Sequence, residues 1–148
     1  MKLKKLIVAV SGALLVAGMF GCGDVEWFPE NNSTTGGNSP NAFTFTTPAE
    51  VTQAVASGSG VVSQSNTVTV TGTQTTGWTV TVTDVTPGAD SKVNIAGAGF
   101  NGTTGTILPN QTLQVEHTPS KTVGGQVTTQ IKVGDYTTTF TTNTIANP

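Results

Sequence analysis

An all-β fold, an antiparallel sandwich of about seven strands, is what this 148-residue sequence predicts for residues 42–148, on three observations. Apolar and polar residues alternate in short runs, the period of a strand with one buried face. Gly, Pro, Asn and Asp interrupt these runs roughly every eight to twelve residues, as turns between strands require. Thirty threonines against 9% charged residues give a β-branched composition that suits a pleated surface better than a helix. A signal peptide over residues 1–21 and a flexible linker over residues 22–41 precede the domain.

The signal is read from the order of its components. Lys2, Lys4 and Lys5 give a positive start, residues 6–17 form an apolar run too short to span a bilayer comfortably, and Met19-Phe20-Gly21-Cys22 follows as a cleavage site. Cys22 is the one cysteine of the chain, so no disulfide holds the fold and a core of ordinary size must do so. The segment resembles the lipobox of bacterial lipoproteins. That resemblance implies a thiol alkylated with diacylglycerol, cleavage just before Cys22, and acylation of the new amino terminus. A plain signal peptide cut nearby would instead leave a free thiol. Two or three acyl chains hold a protein on a membrane, whereas one binds only marginally.

Residues 22–41 are Gly, Asn, Ser, Thr, Pro and acids, too poor in apolar side chains to offset the entropy of ordering. Val25, Trp27 and Phe28 are the exceptions, and the two aromatic rings, beside the lipid, either sit in the headgroup region, where such rings are favoured, or pack loosely or not at all. From residue 42 the alternation begins. Phe43 and Phe45 mark the first strand. Val68 and Val70 mark the second, and Trp78, Val80 and Val82 the third. Val93 with Ile95 and Leu113 with Val115 follow. The stretch at 49–57 reads as a loop or a split first strand, with a helix behind Pro48 as the alternative. Two longer runs, 126–133 and 136–142, are joined by Gly134-Asp135, where glycine at the first central position suits a type II′ turn. This turn places Val133 opposite Tyr136, Ile131 opposite Thr138 and Thr129 opposite Phe140, which gathers the apolar side chains on one face.

Seven strands in about one hundred residues, with an aromatic at Trp78 in the third, fit an immunoglobulin-like sandwich. Phe43-Thr44-Phe45-Thr46-Thr47, the run 65–72, the run 109–115, and Ile131-Lys132-Val133-Gly134 leading into 139–142 resemble the Thr-rich immunoglobulin-like repeats of bacterial surface and extracellular proteins. The resemblance covers about residues 42–144. It implies a spacer or stalk module of the kind usually arrayed in tandem, sometimes beside adhesive or carbohydrate-active domains, with no defining catalytic residues; this sequence shows one copy.

Several function classes are excluded by composition. There is no arginine, and beyond the signal three lysines stand against eight carboxylates, so the positive footprint of nucleic-acid binding is missing. One histidine and one cysteine are too few for zinc, and no metal or other cofactor is expected beyond the lipid on Cys22. His117 has no glycine-flanked nucleophile motif to serve and reads as a solvated histidine at a strand end. Asp84 and Asp90 bracket Val85-Thr86-Pro87-Gly88-Ala89. They are a candidate weak calcium pair, though a plain Asp and Pro-Gly turn explains the same residues. The glycine-rich 97–105 has no lysine and opens no helix, so it reads as a mobile connection and not a phosphate loop. Phe100 within it is a candidate contact for a sugar or another protein, or else a core plug. Outward threonines at 67, 69 and 71, at 79, 81 and 83, and at 137, 139 and 141 form regular ranks. β-propensity explains them without a ligand, because a twisting sheet offers no flat array.

The expected function is therefore a non-enzymatic, lipid-anchored structural or protein-interaction module at the bacterial cell envelope, on the outer membrane or cell surface. A carbohydrate-binding or adhesive module is the alternative, and a lipid-anchored enzyme a distant third. The partners expected are the membrane, through the lipid, and an envelope protein or glycan.

Overall fold

The computed structural model describes residues 37–47 and 49–148, and in these residues it is a two-sheet β-sandwich. In chain order the elements are β1 (Ala49–Thr52), α1 (Gln53–Ala56), β2 (Ser63–Gln64), β3 (Val68–Thr69), β4 (Trp78–Asp84) and β5 (Lys92–Ile95). β6 (Phe100–Gly102), β7 (Thr104–Ile107), β8 (Thr112–His117), β9 (Gln126–Val133) and β10 (Tyr136–Ile145) follow. The first sheet has the order β1-β10-β9-β4-β7. The second runs β2-β8-β5-β6, with β3 also paired to β8.

Ten strands form among the described residues where seven were expected. The alternating runs at β3, β4, β5, β8, β9 and β10 are where the pattern placed them. Phe43 and Phe45 belong to no strand, although both pack on the core. The four additional strands are short pieces whose periodicity is weak: β1 and β2 at the edges, and β6 and β7 inside the glycine-rich stretch. That stretch is thus a correction to the expected loose connection. With Thr103 alone between them, β6 pairs β5 in the second sheet and β7 pairs β4 in the first, so one run of chain changes sheets and closes a side of the sandwich. Gly105 permits the crossing, because a Cβ there would stand 2.5 Å from Ile95 Cδ1. The region 49–57 divides between the two readings it admitted, a parallel edge strand on β10 and then a single helical turn.

The β9–β10 hairpin has the expected register, Val133 facing Tyr136, Ile131 facing Thr138 and Thr129 facing Phe140. Gly134 has φ 58°, the positive value that the first central position of a type II′ turn needs. Side chains from both sheets meet in one cluster. Trp78, Val80, Val82, Ile131, Val133 and Phe140 come from the first sheet, and Val68, Val93, Leu113 and Val115 from the second.

Trp78 sits at one end of this core beneath two glycines. A Cβ on Gly72 would lie 2.7 Å from its six-membered ring, and one on Gly134 would lie 2.8 Å from Cδ1 while striking the carbonyl of Asn38. That carbonyl belongs to an arm, residues 38–46, that crosses the same end. Asp135 donates its N–H to the Asn38 carbonyl at 2.9 Å, and Asn41 donates to the Thr71 carbonyl at 2.8 Å. The Tyr136 hydroxyl bonds both the carbonyl of Phe43 at 2.5 Å and its N–H at 3.2 Å. Pro40 and Phe45 are buried, and Phe43 packs edge-on against Phe45 at 5.9 Å. The chain is therefore joined to the fold from Asn38, inside the stretch whose composition reads as linker. Two buried side-chain polar atoms, Trp78 Nε1 and Gln74 Oε1, have no partner among the described residues; one is a donor and the other an acceptor.

Along β4 the alternation decides which substitutions matter. Trp78 is 1% exposed, and Thr81, three positions on, faces outward. Trp78→Ala should cost about 3–5 kcal/mol and Thr81→Ala well under about 1.5 kcal/mol. Denaturant melts of the two variants check the order, and equal losses would contradict the assigned faces.

Candidate functional site

Of the residues singled out from sequence, Cys22 lies outside the described residues. Asp84 ends β4 and turns its carboxylate back onto its own loop, Oδ2 accepting the Asp90 N–H at 3.0 Å and Oδ1 the Ser91 N–H at 3.2 Å. Asp90 is exposed, has φ 48° and lies 4.0 Å from Lys92 Nζ. The two carboxylates thus share a loop in different roles, Asp84 as acceptor for the backbone and Asp90 at the exposed bend. Among the described residues no group of three or more His, Cys, Asp or Glu side chains is placed to hold a metal ion.

Phe100 opens β6 and is half-buried. It faces Asn94 across a bulge, and Asn94 in turn faces Gln114. Val93 points inward, so Asn94, Gln114 and Phe100 share the outer face of the second sheet. Asn94 Oδ1 already accepts the Gly99 N–H at 3.0 Å, and Gln114 Nε2 donates to the Ser65 carbonyl at 2.9 Å. Each amide keeps its other half for a further bond.

His117 departs most from its expected place. Instead of being solvated it is fully buried, the last residue of β8, with its ring stacked on Phe140 at a centroid distance of 4.7 Å. Both ring nitrogens are bonded. Nδ1 lies 2.8 Å from Thr129 Oγ1 on β9, and Nε2 lies 2.7 Å from Thr142 Oγ1 on β10. The bonds continue outward: Ser91 Oγ is 2.6 Å from Thr129 Oγ1, and Thr142 donates to Ser63 Oγ at 3.1 Å. Ser63, His117, Thr129 and Thr142 are all buried, and so is Ser91. The cluster joins β2 and β8 of one sheet to β9 and β10 of the other. Burial pushes the imidazole from its ordinary value of 6.5 down to about 4, with the negative charge of Asp84 pulling the other way. Stacking on Phe140 favours a cation by about 1 kcal/mol, too little to offset the loss of water around a buried charge.

The signal that places these residues is parity. Leu113, Val115 and His117 occupy alternate positions of β8, as do Val127, Thr129, Ile131 and Val133 on β9, and Phe140, Thr142 and Thr144 on β10. A polar residue in phase with an apolar run points inward whatever its type. The hydroxyls and the ring then satisfy one another, as buried polar groups must.

No protein-family model matches this sequence, and no curated protein does. Among solved structures, a crystal structure of domains 4 and 5 of the S-layer protein SbsC aligns with a TM-score of 0.42 and 18% identity, over 73% of this chain and 54% of that one. A longer segment of the S-layer protein SbsC aligns with a TM-score of 0.38 and 21% identity, over 74% of this chain and 14% of that one. The present chain thus spans about half the length of the first of these structures and far less of the second.

Replacing the ring leaves hydroxyls without partners in a dry site. His117→Leu should destabilise the fold by about 2–4 kcal/mol at pH 8, where both folded and unfolded histidine are neutral. Urea melts of the whole chain in detergent measure it. A loss under about 0.5 kcal/mol would mean that the cluster adds nothing to stability.

Proposed function

We propose that this chain is a non-enzymatic, lipid-anchored module of the bacterial cell envelope, its immunoglobulin-like sandwich serving as a structural or protein-interaction element. The observation that carries the reading is the position of His117. The one histidine of the chain, with four hydroxyls around it, would otherwise be the natural place for nucleophilic or acid–base chemistry. It is sealed inside the sandwich with both nitrogens bonded, and a general base must reach the proton it abstracts. The lysine start, the apolar run and Cys22 support export and anchoring, because they fall in the order that lipidation requires. No helix among the described residues is long and apolar enough to cross a membrane. Cys22→Ser should release the protein into the soluble fraction, and the wild type should incorporate a labelled fatty acid. A soluble, unlabelled wild type would remove the anchor from the proposal.

A second reading, a carbohydrate-binding module, is favoured by Phe100. An aromatic ring beside Asn94 and Gln114 on an open sheet face offers a stacking surface with amide hydrogen bonds, the chemistry that sugar hydroxyls and ring faces meet. Screening the protein and its Phe100→Ala variant on glycan arrays separates the two readings. Saturable binding that drops at least tenfold in the variant would favour the sugar, and envelope-protein capture indifferent to Phe100 would favour the structural module.

A further inference from the structure

The bonds around His117 can be ordered by counting protons. Thr142 has one hydroxyl proton, and it is directed at Ser63 Oγ. Thr142 Oγ1 therefore accepts from Nε2, so Nε2 carries the hydrogen. A neutral ring has only one N–H, which leaves Nδ1 as acceptor for the Thr129 hydroxyl. With its proton so used, Thr129 Oγ1 accepts from Ser91. The chain then runs one way: Ser91 to Thr129, Thr129 to Nδ1, Nε2 to Thr142, Thr142 to Ser63. Its members lie in both sheets, and each internal donor has one acceptor.

We propose that His117 and its four hydroxyl partners form an acid-sensitive latch between the two sheets, closed while the ring is neutral and opened by a proton taken up at Nδ1. That proton forms a new N–H bond where the Thr129 hydroxyl was donating. Thr129 must then turn its proton toward Ser91, and Ser91 must turn its own O–H away from Thr129 while keeping its proton, so that the one proton gained at Nδ1 leaves a full charge in a buried site. Little nearby compensates. Asp84 is the charged group whose field favours the imidazolium, and both its oxygens already accept backbone N–H groups from Asp90 and Ser91. Glu116 leaves the opposite face of β8, where it accepts from Gln64 Nε2 at 3.1 Å, and Lys92 faces Glu116 on that same outer side. From β9 and β10 the ring meets Thr129, Thr142 and Phe140, and β2 adds Ser63 behind Thr142; none of these ionises in acid.

The sign follows from burial. Above pH 6.5 the ring is neutral in the folded and unfolded chain alike, and the latch contributes in full. As the pH falls from 6.5 to about 4, the unfolded chain takes up the proton and the folded one resists it, so stability is lost over that window and no more is lost below it. The folding equilibrium constant should drop by up to about 300-fold across the window from this group alone.

Because the chain has one histidine, its ring can be followed without any substitution. The experiment is nitrogen NMR of the whole chain in detergent with 15N-labelled histidine, titrated from pH 8 to pH 3, alongside urea midpoints of the wild type and of His117→Gln. We expect the Nε2–H tautomer, unchanged down to about pH 5, with protonation coinciding with loss of the folded spectrum. Between pH 6.5 and 4 the wild-type midpoint should fall more steeply than that of His117→Gln. A ring carrying its hydrogen on Nδ1 would reverse the chain and overturn the assignment. A ring that titrates near 6.5 with the fold intact would overturn the latch, and it needs only the unsubstituted protein.

Discussion

The two sheets are held together through short, stiff side chains, and that constraint governs the molecule. Valine, isoleucine and threonine supply most of the contact, since each inward position of β4, β5, β8 and β9 carries one of them apart from Trp78, Leu113 and His117. β-branched side chains have one or two rotamers to lose, so they pack a sheet interface at small entropic cost but cannot reach far to fill an irregular end. The two ends are accordingly closed by other means. At the hairpin end the large ring of Trp78 fills the space beneath the arm. At the other end the imidazole of His117 does so with hydroxyls as its lining. With a single cysteine in the chain, no disulfide shares this task.

Both closures make demands on distant residues. Trp78 needs glycine at 72 and at 134, one before β4 and one in the β9–β10 turn, because any larger residue would enter the space of the ring or of the Asn38 carbonyl. His117 needs hydroxyls on β9 and β10 and a third on β2, three separate strands that agree only in the folded state. Threonine in this protein therefore has two trades. Facing water, it is a polar residue of high β-propensity, as at Thr137 and Thr139. Facing inward, as at Thr129 and Thr142, it is a hydrogen-bonding partner of nearly the shape of valine.

How much of this the sequence discloses depends on the range of the physics involved. The β9–β10 hairpin is legible to the residue, since a glycine at the turn and a period of two decide it locally. The buried histidine is legible in principle from its phase with Leu113 and Val115. Its residue type argues the other way, because histidine at a strand end before Pro119 is ordinarily solvated, so type and phase conflict at this position. The arm and the sheet-switching run β6–β7 are different in kind. Residues 38–41 look like linker because Asn, Ser and Pro offer little to bury, yet what orders them is backbone bonding to Asp135 and Thr71, far along the chain. Phe43 and Phe45 alternate like a strand but pack within that arm, and periodicity cannot tell side chains inserted into a core from a ladder. Phe100 and Asn94 come to face one another only through a bulge, which no local pattern announces.

The arm also fixes how the domain would respond to tension. A pull on the chain from before Gly37 would arrive first at the Asn38 carbonyl and so at the amide of Asp135, in the tip of the β9–β10 hairpin, and next at Asn41 and the Thr71 carbonyl on the edge of the other sheet. These bonds lie in sequence along the arm, so they would break singly, like a zip, before strain reached the Tyr136 hydroxyl and the ring of Phe45. The arm would thus act as a short mechanical fuse ahead of the core: releasing residues 38–41 would let out chain up to about 13 Å long when extended while both sheets stay whole.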